Sequence, residues 1–72
     1  MYSVEILEVK LDGRIERALG SDGSIKLDGR YGYERADYEA MEYYLRLKQF
    51  KPHIVGYSLL TNGGKIRDFI FS

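Results

Sequence analysis

The residues best suited to binding chemistry lie in one segment, RYGYERADYEAMEYY, at positions 30–44. Five of the chain's seven tyrosines fall within it, interleaved with arginines and carboxylates. Tyrosine and arginine stack on nucleic-acid bases, and both are enriched at the energetic centres of protein–protein interfaces. The segment therefore predicts a contact surface. The predicted contact residues are Tyr31, Tyr33, Tyr38, Tyr43, Arg30 and Arg35.

The charges favour a protein over a nucleic acid as the partner. The carboxylates of this segment would repel a phosphate backbone, and the whole chain balances eleven basic against eleven acidic residues. Nucleic-acid binders usually carry a basic excess. We therefore expect a small non-enzymatic binding or regulatory protein that acts by contacting another protein. The alternative is a nucleic-acid-binding module that uses the hairpin arginines with tyrosines. Those arginines are Arg14, Arg17, Arg30 and Arg35.

Other residue patterns do not indicate an enzyme or a cofactor site. His53 is the only histidine, and no serine or cysteine stands beside it in a recognisable nucleophile arrangement. The chain has no cysteine, which removes thiolate nucleophiles, disulfides and zinc–thiolate sites together. The glycine-containing turns fit neither a calcium loop nor a phosphate-binding loop. We expect no catalysis, no cofactor and no metal.

The length predicts a single small domain over residues 1–72. A chain of this size buries only about 60% of its unfolded surface, so it is marginally stable without additional help. Small domains usually gain additional stability from disulfides, metals or self-association. Because the chain has no cysteine for disulfides, we expect it to gain stability by self-association as a homodimer. No apolar run approaches the roughly 18 residues that span a bilayer. The N-terminus alternates apolar with charged residues and has no signal-peptide core, so we expect a cytoplasmic protein without membrane contact.

The elements that must position these residues begin with a pentapeptide, KLDGR, that occurs twice. Asp-Gly between two extended runs is a strong hairpin signal. At the first copy it predicts a two-residue loop, Asp12-Gly13, which would place Glu8 opposite Arg17. At the second copy it predicts a tight turn between short strands 24–27 and 30–34. The sequence leaves open whether those two strands join the sheet.

The tyrosine-rich segment itself predicts a helix. Asp37 is a plausible N-cap, and Pro52 places the helix end near Phe50. At 100° per residue, the apolar side chains gather on one side, which predicts the face that packs on the core. The predicted core-facing residues are Ala40, Met41, Tyr44, Leu45 and Leu47.

The C-terminal third predicts another hairpin, from strands 53–60 and 65–72. A three-residue loop, Asn62 to Gly64, would place Tyr57 opposite Phe69 and so match aromatic with aromatic. The same register would place Leu60 opposite Ile66. Both faces of this hairpin are then apolar, so we expect it to be central in the sheet or covered on its second face by another subunit.

Together these segments predict an α+β domain. It comprises an antiparallel sheet of four to six short strands with one helix packed on a face, in the order β-β-(β-β)-α-β-β.

Overall fold

The computed structural model describes residues 1–71; Ser72, the last residue of the predicted C-terminal strand, lies outside the described residues. The α+β prediction is confirmed, with one helix packed on a small antiparallel sheet. The elements are β1 (Ser3–Val9), β2 (Ile15–Arg17), a 3-10 turn (Ser21–Gly23), β3 (Ser24–Lys26), α1 (Tyr33–Lys48), β4 (Ile54–Thr61) and β5 (Gly64–Ile70).

Strand β1 organises the sheet. On one side it pairs along most of its length with β4, which in turn pairs with β5 at the sheet edge. The other side is shared, with β2 beside the C-terminal part of β1 and β3 beside its N-terminal part. All of these pairings are antiparallel. The two short strands therefore cover what would otherwise be a long open edge.

The core lies between one face of the sheet and α1. The helix contributes Ala36, Ala40 and Tyr44, all of which are buried. The two alanines bring the helix backbone close to the strands, and Tyr44 packs its ring 5.8 Å from that of Tyr57. The largest fully buried side chains are Val4, Ile6, Ile54, Tyr57 and Leu59.

The first KLDGR is a hairpin, but the predicted two-residue loop and the Glu8–Arg17 pairing are wrong. Glu8 stands opposite Glu16, one residue away from the predicted register. A type I′ turn requires positive φ at both central residues. Of Asp12 and Gly13, only Gly13 has it, at +89°, so the loop lengthens to three residues. A one-residue shift reverses the face of each side chain, and Arg17 accordingly lies on the face away from the helix.

The second KLDGR is a turn but not a hairpin. The predicted strand 24–27 does join the sheet, as β3, and pairs with β1. The predicted strand 30–34 is wrong, because these residues form a loop and the start of α1. In both copies the aspartate, Asp12 or Asp28, accepts a bond from the backbone N–H two residues later, at 3.1 and 2.9 Å. The repeat is therefore a repeated aspartate-centred turn.

Helix α1 begins earlier than predicted, at Tyr33 and not after Asp37. The added turn brings Ala36 into the helix and moves the centre of the buried face toward it. Met41 and Leu45, which were predicted to face the core, are instead 39% and 50% exposed. That part of the predicted core face is wrong, because Ala36 and Ala40 centre the buried face, whereas the predicted Ala40, Tyr44 and Leu47 do pack on the core.

The body of the C-terminal hairpin has the predicted register, with Tyr57 opposite Phe69. Their rings stack at 4.8 Å between centroids. Near the turn the register shifts by one residue, so Leu60 pairs with Lys65 and the predicted partner Ile66 is wrong. Strand β4 is central in the sheet as expected, whereas β5 forms an edge.

Candidate functional site

Two of the predicted contact residues, Tyr31 and Arg35, form one unit where the chain enters α1. The guanidinium carbon of Arg35 lies 5.0 Å from the centroid of the Tyr31 ring, which is a cation–π distance. The Nε of Arg35 also donates to Oε1 of Glu39 at 2.9 Å, one turn along the helix. Tyr31 is half-buried and packs against the core. The arginine is thus held in place from two directions.

Arg30 and Tyr33 are engaged separately. The Arg30 guanidinium folds back onto Asp28, with 2.8 Å between Nη2 and Oδ2, although its side chain is 90% exposed. The ring of Tyr33 packs against that of Tyr2, with 6.3 Å between the centroids. Each residue is accessible at the surface, but its nearest partner already belongs to this chain.

Tyr43 lies elsewhere and has a structural contact. Its hydroxyl donates to the backbone carbonyl of Asp22 at 2.5 Å and so ties α1 to the 3-10 turn. Burial, followed by the nearby Asp22 carboxylate, raises the pKa of Tyr43. Since Tyr43 is five residues from Tyr38, the two side chains point about 140° apart around the helix. The six predicted residues therefore do not form one patch.

Tyr38 belongs to a different surface, one that the sequence did not predict. It is 58% exposed on the outer side of α1, together with Met41 and Leu45. These three residues, here called the outer helix surface, follow the spacing i, i+3, i+7 and so share one face. Glu34 and Glu42 lie one turn on either side of Tyr38, and the Glu42 carboxylate raises the pKa of Tyr38. The available sequence signal was Ala36, whose inclusion in the helix moves Met41 and Leu45 off the core face.

The sheet has a second surface on the side away from α1, where no element of residues 1–71 covers it. A trough of about 490 Å³ crosses this side. Ser58 lies on its floor, only 3% exposed, and donates a hydrogen bond to Asp68. We call this surface the open sheet face, and its defining residues are Leu7, Ile15, Arg17, Ser58, Asp68 and Ile70.

The open sheet face carries both signs of charge. Lys65 Nζ lies 3.0 Å from Asp68 Oδ2. The hydrogen bond from Ser58, and next the ammonium of Lys65, hold the pKa of Asp68 below its usual range. Glu5 and Arg17 also line the trough, and within residues 1–71 neither has an ion-pair partner. Glu16, which also lines the trough, pairs with Arg14. Of the charged lining residues, therefore, Glu5 and Arg17 are the two opposite charges without a partner among residues 1–71.

The lone histidine belongs to a surface ion cluster. His53 Nε2 lies 3.0 Å from Oε2 of Glu8, whose other oxygen is 2.6 Å from the ammonium of Lys10. The Lys10 hydrogen bond is the main cause that lowers the pKa of Glu8. This cluster ties the start of β4 to the end of β1. Among residues 1–71, no group of three or more metal-ligating side chains is placed to hold a metal ion.

Over the same residues, no helix combines the length and the apolar character that crossing a membrane requires. Comparison with known proteins gives no relative: no protein-family model, no curated protein and no solved structure matches the chain.

Proposed function

We propose that this chain is a small non-enzymatic binding or regulatory protein, acting as a homodimer through contacts with another protein. The observation that carries the proposal is the outer helix surface. Tyr38, Met41 and Leu45 are exposed in one line on a helix surface that does not face the core. The spacing i, i+3, i+7 is the one that helices use when they lie in an apolar groove of a partner. A cytoplasmic location belongs to the same proposal, and the cysteine-free composition supports it.

The charges around this surface specify the chemistry of the partner. Within residues 1–71, Glu34 and Glu42 have no ion-pair partner, whereas the nearby Arg35 is already neutralised by Glu39. The rim of the outer helix surface around Tyr38 is therefore acidic. An apolar groove bordered by lysine or arginine would complement it, because opposite charges across an interface raise the association rate and fix the register.

The same ion pairs weaken the nucleic-acid alternative. Arg14 lies 2.7 Å from Asp12, Arg30 lies 2.8 Å from Asp28, and Arg35 is paired as described. A phosphate would have to displace a carboxylate at each of these three positions before it gained a contact. Since phosphate neutralisation supplies most non-specific affinity for nucleic acids, arginines that are already paired provide little of it.

The test is quantitative affinity enrichment with the tagged chain and two matched double variants. Tyr38→Ser with Leu45→Ser alters the outer helix surface. Leu11→Ser with Leu19→Ser alters two other exposed leucines, which are 111% and 73% exposed. We expect the partner to be retained by the wild type and by the control but lost about 30-fold or more by the helix variant, since truncating an anchor residue typically costs about 2 kcal/mol or more.

Equal capture by all three proteins would contradict the proposal. A second arm titrates a short oligonucleotide at low and at moderate salt. Binding that weakens steeply as salt rises would favour the nucleic-acid-binding module instead. Thermal melting of all three proteins provides the folding control, and we expect similar midpoints because every substituted residue is at least half exposed.

A further inference from the structure

The open sheet face exposes aliphatic side chains where an antiparallel sheet with one solvated face normally has polar ones. Ile15 on β2 is 48% exposed and Ile70 on β5 is 51% exposed, and both line the trough with Leu7 and Leu60. Exposed aliphatic side chains gathered on one surface, here among charged ones, are typical of an interaction site. The question is which molecule covers it.

We infer that the open sheet face is the interface through which two copies of this chain pair, sheet against sheet, about a two-fold axis. The inference rests on the homodimer part of the proposed function and assigns a surface to it. In such an isologous contact the same patch of both copies meets itself, so the patch must be self-complementary in shape and in charge. The open sheet face satisfies both requirements.

The shape is that of a trough between two ridges. Gly56 and Ser58 on the central strand β4 are buried and form a low floor. Leu7 and Ile15 line the trough on the β1–β2 side, and Ile70 lines it on the β5 side, and each of these side chains is larger than the glycine and serine of the floor. A two-fold rotation can therefore set a ridge of one copy into the trough of the other. Facing sheets pack about 10 Å apart through this kind of interdigitation.

The charges are balanced in the way that pairing with a second copy requires. The trough is lined by three acids, Glu5, Glu16 and Asp68, and by two bases, Arg17 and Lys65. Glu16 pairs with Arg14, with 3.6 Å between Oε1 and Nη1. Lys65 and Asp68 satisfy each other within one copy. Glu5 and Arg17 remain, so a two-fold axis that places Arg17 of one copy on Glu5 of the other forms the same ion pair twice. A strongly basic partner would oppose Arg17, and a strongly acidic partner would oppose Glu5.

The available area is of the size that a small dimer interface has. Four strand positions at about 4.8 Å each, along roughly seven residues at about 3.4 Å, give a flat footprint of about 450 Å² per copy. Two copies together would bury about 900 Å² before the relief of the side chains is added, which is close to the roughly 1,000 Å² of a specific interface. Burial of this surface also supplies the apolar area that a 72-residue chain lacks on its own.

The experiment measures the solution mass by light scattering and sedimentation over a range of concentrations. The wild type should have twice the 8.4 kDa chain mass. Ile70→Lys should reduce the mass to that of one chain. Leu45→Lys is the matched control, because Leu45 is 50% exposed against 51% for Ile70 but lies on the opposite side of the molecule. This control should remain dimeric.

Charge reversal gives a test that does not depend on one variant folding well. Glu5→Arg alone and Arg17→Glu alone should each weaken the dimer, and the double variant should restore it, because the exchanged charges again face each other across the axis. A monomeric wild type would overturn the inference, as would a dimer that resists Ile70→Lys or one that Leu45→Lys dissociates. A monomeric wild type would also refute the homodimer part of the proposed function. Partner capture through the outer helix surface is measured independently, so that part of the proposed function and the assignment of the dimer interface can fail separately.

Discussion

Removal of one hydroxyl group, by Tyr57→Phe, tests the division of the tyrosines into core and surface residues. Tyr57 is completely buried between α1 and the sheet, and its hydroxyl has no hydrogen-bond partner among the described residues. A buried polar group without a partner costs about 1–3 kcal/mol. We therefore expect Tyr57→Phe to stabilise the fold by about 1 kcal/mol or more, which raises the melting temperature by about 4–8 °C per kcal/mol at this size.

The pH dependence of stability provides an independent measure of the same hydroxyl. Burial, followed by the nearby carboxylate of Asp37, raises the pKa of Tyr57 from its ordinary value near 10 to about 12. The neutral form is thus favoured in the folded state, so the stabilisation is complete below pH 10 and is lost as the pH rises toward 12. The two-unit difference corresponds to about 3 kcal/mol. Tyr57→Phe should lack this alkaline loss.

Two other buried or half-buried tyrosines serve as controls in the same urea-denaturation assay. Tyr43→Phe removes the 2.5 Å bond to the Asp22 carbonyl and should destabilise by about 0.5–1.5 kcal/mol. Tyr44→Phe removes only a 3.5 Å contact to the Ile54 carbonyl, which Lys48 also occupies, and should change little. If Tyr57→Phe destabilised the protein as much as Tyr43→Phe, the reasoning would be refuted, because the Tyr57 hydroxyl would then have a partner.

Three further substitutions test the turns, the sheet and the surface ion cluster. Gly13→Val should destabilise the fold by about 1–3 kcal/mol because φ is +89° there. Gly29→Val in the second KLDGR should change the free energy of unfolding by no more than about 0.5 kcal/mol. Equal shifts of the two denaturation midpoints would contradict this account. Gly56→Ala would place a Cβ 1.9 Å from the carbonyl oxygen of Phe69, so we expect the variant to lose cooperative thermal unfolding. An unchanged melting curve would contradict the β4–β5 register. The lowered pKa of Glu8 gives the fold stability that is present above pH 4.5 and is lost as the pH falls. Glu8→Gln should therefore flatten the acid limb of a stability–pH profile. An unchanged limb would show that the cluster does not contribute to stability.

The sequence predicts the fold well where local and non-local signals agree. Alternation in β1 and the match of Tyr57 with Phe69 identify the central strands, because one face of each must be buried. The first hairpin shows the limit of local signals. Asp-Gly indicates a tight turn, but its loop length depends on whether Asp12 adopts positive φ, and a non-glycine residue rarely does so. The second KLDGR ends in a different structure because helix α1 follows it directly.

The candidate site was less predictable, because it depends on which apolar face of α1 packs on the sheet. By size alone, Met41 and Leu45 are better core residues than Ala36 and Ala40. Close approach of the helix to the strands favours the alanines, and this preference arises from the shape of the sheet surface, which no local pattern encodes. The same choice exposes the outer helix surface and separates Tyr38 from Tyr43. The tyrosine enrichment indicated that this segment makes aromatic contacts. It did not indicate which tyrosines contact other residues of this chain and which are exposed to a partner.

The two proposed surfaces have a joint consequence that neither has alone. Helix α1 and the open sheet face lie on opposite sides of the sheet, so a dimer joined through its open sheet faces presents its two helices outward, on opposite sides of a four-layer assembly. One partner molecule cannot reach both helices unless it spans the whole dimer. The dimer would therefore bridge two partner molecules, or bind a repetitive partner with an affinity greater than that of one helix alone.

Ile70→Lys should then weaken binding to a multivalent partner while leaving single-site affinity unchanged, whereas Leu45→Lys should reduce both. A loss of single-site affinity with Ile70→Lys, measured by calorimetry on a monovalent partner fragment, would mean that the partner and not a second copy occupies the open sheet face.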